Sequence, residues 1–475
     1  MQFRNVVGFA VGPFLTAAIG MATVPLMTWV FTPQDVARFA LFQTTISVAF
    51  LALGLGLDQV FVREFNQTPD RTALLKTSML PTLALITLLS LLVIPNANSL
   101  AYLLYGVNNP VLTYLTLSTI ALLYVNRMGA LLVRMNLRGL VYTVADLLTR
   151  LIQMALVILA VYFPALREVV FLLAGCVAAF TVANVFLLVA ERHVWLSLWT
   201  APVLVKKIPE YLRYGLPLVI SGVAFWALTA AGIFFLRKYS TLSELAVYSV
   251  TISISNAAVL VQTVFVLIWT PIVYQWMAQG LDVKRLERVA HGAAAIIGLI
   301  FCFAGLISHV IDWILPSHYS AVSRLVLCGL VLPLLYTLSE VTYVGIAVVR
   351  RTLLAVWASL AALLASVVLN TVLVPTQGAS GAAIASAVGG LVFFVGRTEL
   401  SARVWQSLRR ARLYALTTAM TAVGILGALD MPFVNVFSWL IFALLIVVSF
   451  RRDLITMIRN TQELLAARRT RATVL

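Results

Sequence analysis

The sequence predicts an all-α polytopic membrane protein. About 14 transmembrane helices are expected, as two six-helix bundles around a central cavity plus two C-terminal helices. Three observations predict this. The 475 residues divide into about fourteen apolar stretches, each near the ~20 residues that carry a helix across a bilayer core. A mean hydropathy of +1.02, with 62% hydrophobic and 11% charged residues, would leave a soluble protein of this length with nowhere to put its apolar surface. The Lys and Arg residues cluster in alternate loops.

In order, the stretches run over residues 6–31, 38–62, 77–94, 111–133, 144–163, 168–190, 214–236, 246–272, 291–311, 324–348, 353–374, 378–396, 413–430 and 433–450. The first is too long for the apolar region of a cleaved signal and is read as a span. Both termini then share one side. Of the 33 basic residues, 26 fall on that side and 5 on the other, while Arg127 and Arg150 lie inside spans. This asymmetry places both termini in the cytoplasm. The net charge of +16 therefore reports insertion and contact with anionic membrane lipids, and no nucleic acid partner is expected. The basic stretch Arg397 to Arg412 and the tail from Arg451 to Arg471 are assigned to lipid contact ahead of docking to a glycan polymerase or ligase.

Cys176, Cys302 and Cys328 fall inside spans without metal-ligand spacing and are read as packing residues. His193, His291, His309 and His318 are scattered and are assigned nothing. No cofactor is implied. Loops on the side opposite the termini are short, and the longest, Pro95 to Pro110, has no charged residue. Function is thus expected within the bundle or at its cytoplasmic mouth, which argues against an enzyme.

An internal repeat at an offset of 209 supports two halves: Thr32, Asp35, Ala37 and Phe39 match Thr241, Glu244, Ala246 and Tyr248. The expected division is residues 1–200 and 201–400 for the two bundles, 401–450 for the two extra helices, and 451–475 for a basic cytoplasmic tail.

Three regions resemble one family. The run from Asn370 to Ser386, with Pro375, Gly378 and Gly381, is similar to the eleventh-to-twelfth-helix signature of Wzx-type polysaccharide flippases of the MOP superfamily. Thr32 to Phe39 with Gly54 to Arg63 resembles that family's first two helices. Tyr211 to Pro217, Ala246 to Ser249 and Trp269 to Pro271 resemble its seventh and eighth. In physical terms Pro375 stops one helix, Gly378 lets the chain reverse, and the following small residues let the next helix pack closely. One departure is clear. Where the family often carries an acidic-basic pair late in the seventh span, this chain has Ala230 to Phe235, with Arg237 and Lys238 following.

The resemblance implies a bacterial cytoplasmic (inner) membrane protein that moves a polyprenyl-pyrophosphate-linked oligosaccharide by alternating access for O-antigen, capsule, lipopolysaccharide or exopolysaccharide synthesis. Such cargo needs cationic and hydroxyl groups to replace lost water. Arg63, Arg127 and Arg150 are the candidates for the pyrophosphate or acidic sugars. A charge at mid-membrane costs ~2.5–3.5 kcal/mol on insertion scales, so Arg127 and Arg150 should face protein or water, unless they reach back to headgroups. Asp146, Arg150 and Gln153 form one polar helix face; a simple Asp146–Arg150 ion pair is the competing reading.

Gln43, Ser47, Gly54 and Asp58 likewise share a face, for ligand or for close helix packing. Glu340 is a lone carboxylate flanked on its face by Tyr336 and Tyr343, whose rings could stack on sugars. A buried lone carboxylate favours its protonated form, making Glu340 a candidate for coupling to H+ or Na+ along with Asp58 and Asp146. The alternative is a carboxyl bonded to a neighbouring Tyr or Ser without a transport role. Trp226 and Trp269 are read as interfacial anchors. The competing function is a multidrug and toxin extrusion-type cation antiporter, which intramembrane Arg residues would disfavour; a glycan-synthesising enzyme is the remoter one.

Overall fold

The computed structural model describes residues 3–278, 283–349, 351, 353–431, 437–453 and 455, so most of the expected tail lies outside the described residues. All regular elements among them are helical. Eleven helices among the described residues are long and apolar enough to cross a membrane, the signature of a multi-pass membrane protein.

One of the eleven, Leu353–Val404, is a hairpin of two helices hinged at Gly378, whose φ of 54° and ψ of −127° interrupt an otherwise helical run. A Cβ on Gly381 would lie 2.6 Å from the carbonyl carbon of Leu373, eight residues earlier. A straight helix would separate them by ~12 Å. A Cβ on Gly396 would lie 3.4 Å from that of Ala358, so the two arms are antiparallel. The second arm is buried at Ala379, Gly381, Ala382, Ala383, Ala385, Ser386, Gly389 and Gly390, the close packing that small residues permit. It does not stop at residue 396 but runs on to Val404, carrying Arg397 with it.

Other expected spans are broken, those at 38–62, 246–272, 291–311 and 324–348 among them. The 38–62 stretch becomes helices Pro33–Leu53 and Leu57–Glu64, because Leu55 and Gly56 both take left-handed φ, 53° and 68°. Asp58 therefore begins a new helix and does not continue the face of Gln43 and Ser47. The 246–272 stretch becomes Leu242–Ser255 and Ala257–Ala278, meeting at Asn256. The uncharged segment expected as a loop at 95–110 holds a short helix, Ala97–Tyr105.

The internal repeat has a structural cause. Thr32 and Thr241 each cap a helix, their hydroxyls accepting from the backbone N–H of Asp35 at 3.3 Å and of Glu244 at 3.2 Å. Both are the Thr-x-x-acid start of a helix. Glu244 also accepts from the Ala379 N–H at 2.8 Å, so one carboxylate caps the second arm of the hairpin. Replacing Glu244 by Ala should cost about 1–2 kcal/mol, read as a lower melting temperature of the purified protein; an unchanged midpoint would show the cap to be idle.

Loop-to-loop bonds follow the alternation of sides read from the sequence. The Arg38 Nε–H donates to the Tyr105 carbonyl, Lys76 Nζ to the Ala201 carbonyl, and Arg138 to the Ala190 carbonyl and the Glu191 carboxylate. Glu287 accepts from the Arg409 N–H, Arg412 pairs with Asp453, and Arg324 pairs with Asp430. Every one of these joins segments expected on the same side of the membrane.

Internal contacts divide the chain into Met1–Phe234 and Phe235–Leu475. The division falls inside helix Ile208–Tyr239, and Gly215 on that helix packs directly on the Leu55–Gly56 backbone of the first unit. In the first unit, helices Pro110–Met135 and Gly139–Tyr162 both pack on Val169–Ala190. The second unit is built around Ala321–Thr342, which touches the hairpin, Leu242–Ser255, Ala257–Ala278, Val283–Ile307 and Ala411–Ala428. The apolar window of this central helix is 78% buried, against 22% for Gly139–Tyr162. Of the central helix's two charged residues, Glu340 is largely enclosed by protein, 19% exposed, while Arg324 near its start is 43% exposed. Cys176, Cys302 and Cys328 are free and buried, in keeping with packing roles.

Candidate functional site

In the first unit the break at Leu55–Gly56 presents Asp58 at the start of its helix, where it is 9% exposed. Its Oδ2 accepts from Gln59 Nε2 at 2.7 Å and pairs with Arg127 Nη2, from helix Pro110–Met135, at 3.4 Å. The same break is tied to its neighbours elsewhere. The Thr82 hydroxyl donates to the Gly54 carbonyl at 3.3 Å, and the Tyr124 hydroxyl to the Ser78 carbonyl at 3.1 Å. Arg127 therefore reaches a carboxylate within its own unit. Its side chain keeps 36% of its surface open, while its buried Nε has no hydrogen-bond partner among the described residues.

The other expected residues of this unit do not join the pair. The Arg63 guanidinium lies 4.3 Å from the centre of the Tyr214 ring and 3.4 Å from Glu64, half exposed. Asp146 and Arg150 are both exposed on helix Gly139–Tyr162, and no ion pair links them among the described residues. The competing reading of an Asp146–Arg150 pair is thus not seen among the described residues, where both side chains are exposed. Gln153 turns instead to Cys176 Sγ, at 3.6 Å.

In the second unit Glu340 is not a lone carboxylate. Arg397 Nη1 donates to its Oε1 at 2.9 Å and to the Ser339 hydroxyl at 2.7 Å. The guanidinium is walled by Tyr343 at 4.1 Å, Phe393 at 5.1 Å and Tyr336 at 5.4 Å from the ring centres. Tyr336 stacks on Phe393 with ring centres 5.6 Å apart and planes at 9°. Both tyrosines thus face an internal cation rather than open space. Trp269 is buried and donates its indole N–H to the Glu340 carbonyl at 3.2 Å, so it is part of this cluster and not an interfacial anchor.

Arg397 was not legible as a site residue because apolarity ends at residue 396, which assigns it to a loop. A weaker signal was present. Ser386, Gly390, Phe393, Arg397 and Ser401 recur at steps of three and four, and that face is buried throughout.

The two pairs differ in what they can do. A desolvated ion pair is marginal in energy, but each partner holds the other's charge in place. Arg397 is sealed by aromatic rings, 6% exposed, and serves packing and charge balance. Arg127, one-third open, can exchange Asp58 for another anion. Among the described residues no group of three or more His, Cys, Asp or Glu side chains could hold a metal ion.

No protein-family profile and no curated protein matches this sequence. Solved structures match its fold. The lipid II flippase MurJ in an inward closed conformation superposes with a TM-score of 0.66 at 12% identity, covering 95% of this chain and 99% of that one. A multidrug resistance MATE family transporter of the MOP superfamily, inward-facing, gives 0.54 at 16% identity, over 81% of this chain and 95% of that one. An outward-facing MATE family transporter gives 0.50 at 15% identity, over 87% and 96%. The chain has the fold of MOP-superfamily transporters.

Proposed function

We propose that the protein is a Wzx-type flippase, moving a polyprenyl-pyrophosphate-linked oligosaccharide across the bacterial cytoplasmic membrane by alternating access. The supporting observation is the partly open Arg127 guanidinium on a membrane helix, in a chain whose fold follows a lipid II flippase over 95% of its length. Arg127 is the first contact for the pyrophosphate, with Arg63 and Arg150 as further cations for the anionic headgroup. Tyr336 and Tyr343 are assigned to the sugar, which requires Arg397 to shift from between them.

Coupling follows from the same pair. An anionic headgroup that takes Arg127 leaves Asp58 without its counter-charge, and H+ or Na+ then binds there. Asp146 and Glu340 are the other coupling candidates. Termini in the cytoplasm, contact with anionic lipids and docking of a glycan polymerase or ligase belong to this reading.

The test is accumulation of polyprenyl-linked glycan in the inner leaflet of cells. Arg127→Ala and Arg150→Ala should each slow translocation by at least ~10-fold, the worth of one charge-assisted hydrogen bond. Unchanged translocation in both would remove the cationic-site assignment. The likeness to MATE family transporters favours a second reading, a cation antiporter. Robust efflux of cationic dyes driven by H+ or Na+, with no glycan phenotype, would select it.

A further inference from the structure

The second unit contains a cavity that none of the candidate site residues above lines. It has a volume of about 310 Å³ and is bounded by Ser308, His309, Asp312, Arg324, Asp430 and Trp439, among others. These come from the end of helix Val283–Ile307 and the turn after it, the start of Ala321–Thr342, the end of Ala411–Ala428, and the following segment that carries Trp439. The volume lies at the lower end of ordinary ligand pockets, ~300–1,000 Å³. It stands on the side of the membrane expected to be poor in basic residues.

Three features give the cavity its chemistry. Asp430 ends its helix at φ 59°, a left-handed position where Gly is the usual residue, and pairs with Arg324. Asp312 also lines the cavity and is exposed. Trp439, 2% exposed, packs edge-on to Phe301 and against Gly305, so it bounds the cavity as a packed side chain rather than with an open ring face. The lining thus combines acceptor-only carboxylates, a donor-only guanidinium, and groups that do both, Ser308 and His309. Its formal charge is −1 with His neutral, so anionic ligands are disfavoured, while Arg324 disfavours fully cationic ones. Hydroxyl groups both donate and accept, so a neutral polyhydroxylated ligand matches this mixed lining.

We infer that this cavity is a binding site for a small uncharged saccharide, separate from the charge pairs of the proposed translocation path. It requires nothing of the translocation reading.

Saturation-transfer NMR on the full-length protein in detergent tests it, with glucose, N-acetylglucosamine and cellobiose as probes and glucose 6-phosphate and tetraphenylphosphonium as charged comparisons. Millimolar binding of at least one uncharged sugar is expected, weaker for both charged probes. Asp312→Asn and Asp430→Asn should each weaken it about tenfold; Asn keeps the left-handed backbone at 430 accessible. A Cβ at Gly427 meets only ordinary contacts, 3.6 Å from the Arg324 carbonyl oxygen and 3.8 Å from Leu327, so Gly427→Leu should fill the cavity in a folded protein and abolish binding. A melting temperature near wild type confirms folding. No transfer to any uncharged sugar, transfer unchanged in all three variants, or stronger binding of either charged probe would each overturn the assignment.

Discussion

Replacing Arg397 by Leu is expected to destabilise the protein more than any other single change considered, by about 3 kcal/mol, the low end for a buried pair, because Arg397 is buried while Glu340 keeps 19% of its side chain exposed. Glu340 sits on the most enclosed helix of its unit, with Arg397 2.9 Å away and aromatic rings on the other faces of the guanidinium. Thermal unfolding of the purified protein, followed by loss of the monodisperse peak in size exclusion, measures the effect. Glu340→Gln should cost less, since an amide oxygen still accepts from the guanidinium. The double substitution of Arg397 and Glu340 by Leu should recover most of the stability, because it removes both charges at once. A single Arg397→Leu variant as stable as wild type, or a double variant no better than the single, would refute the account.

The second large effect is expected at Gly378. With φ of 54° and ψ of −127° it occupies a region essentially closed to residues with a Cβ. The backbone strain alone is worth ~1–3 kcal/mol. An added methyl would also collide with the Glu244 carboxylate that caps Ala379. Gly378→Ala should therefore splay the hairpin and release the cap together. Cross-linking reports this directly. In a background without the three native cysteines, Cys placed at Ala358 and Gly396 should form a disulfide readily, because the Cβ positions are 3.4 Å apart. The same pair should oxidise slowly once Gly378 carries a methyl. Equal rates in the two backgrounds would mean that the hinge does not set the hairpin.

The hairpin itself was legible in the residues, since Pro375, Gly378 and the small residues after them each act on the local backbone. So was the repeat: a Thr three residues before an acid starts a helix wherever it occurs, and here it does so at Thr32 and at Thr241. Glu340 stood out because a carboxylate in an apolar run is visible at any depth. Its partner was not visible, because Arg397 lies 57 residues further on, just beyond the apolar run, and no local rule links the two. The same reasoning failed for Asp146 and Arg150, where spacing on one helix suggested an ion pair that the tertiary arrangement does not make. It failed again at Asp58, where one unbroken helix was assumed through Leu55 and Gly56. A non-glycine residue at positive φ leaves no mark in composition or periodicity.

By itself the sequence determined that this chain crosses the membrane many times, which loops share a side, and, at Thr32 and Thr241, where a helix begins. Those properties depend on transfer of apolar surface into lipid, on the placement of Lys and Arg, and on bonds made within a few residues. Only the tertiary structure decided which charges meet. Arg127 found Asp58, Arg397 found Glu340, and His309, Asp312, Arg324 and Asp430 came to line one cavity. Pairing in a bilayer is set by which helix faces come into contact, and that is a property of the packed bundle rather than of any one helix.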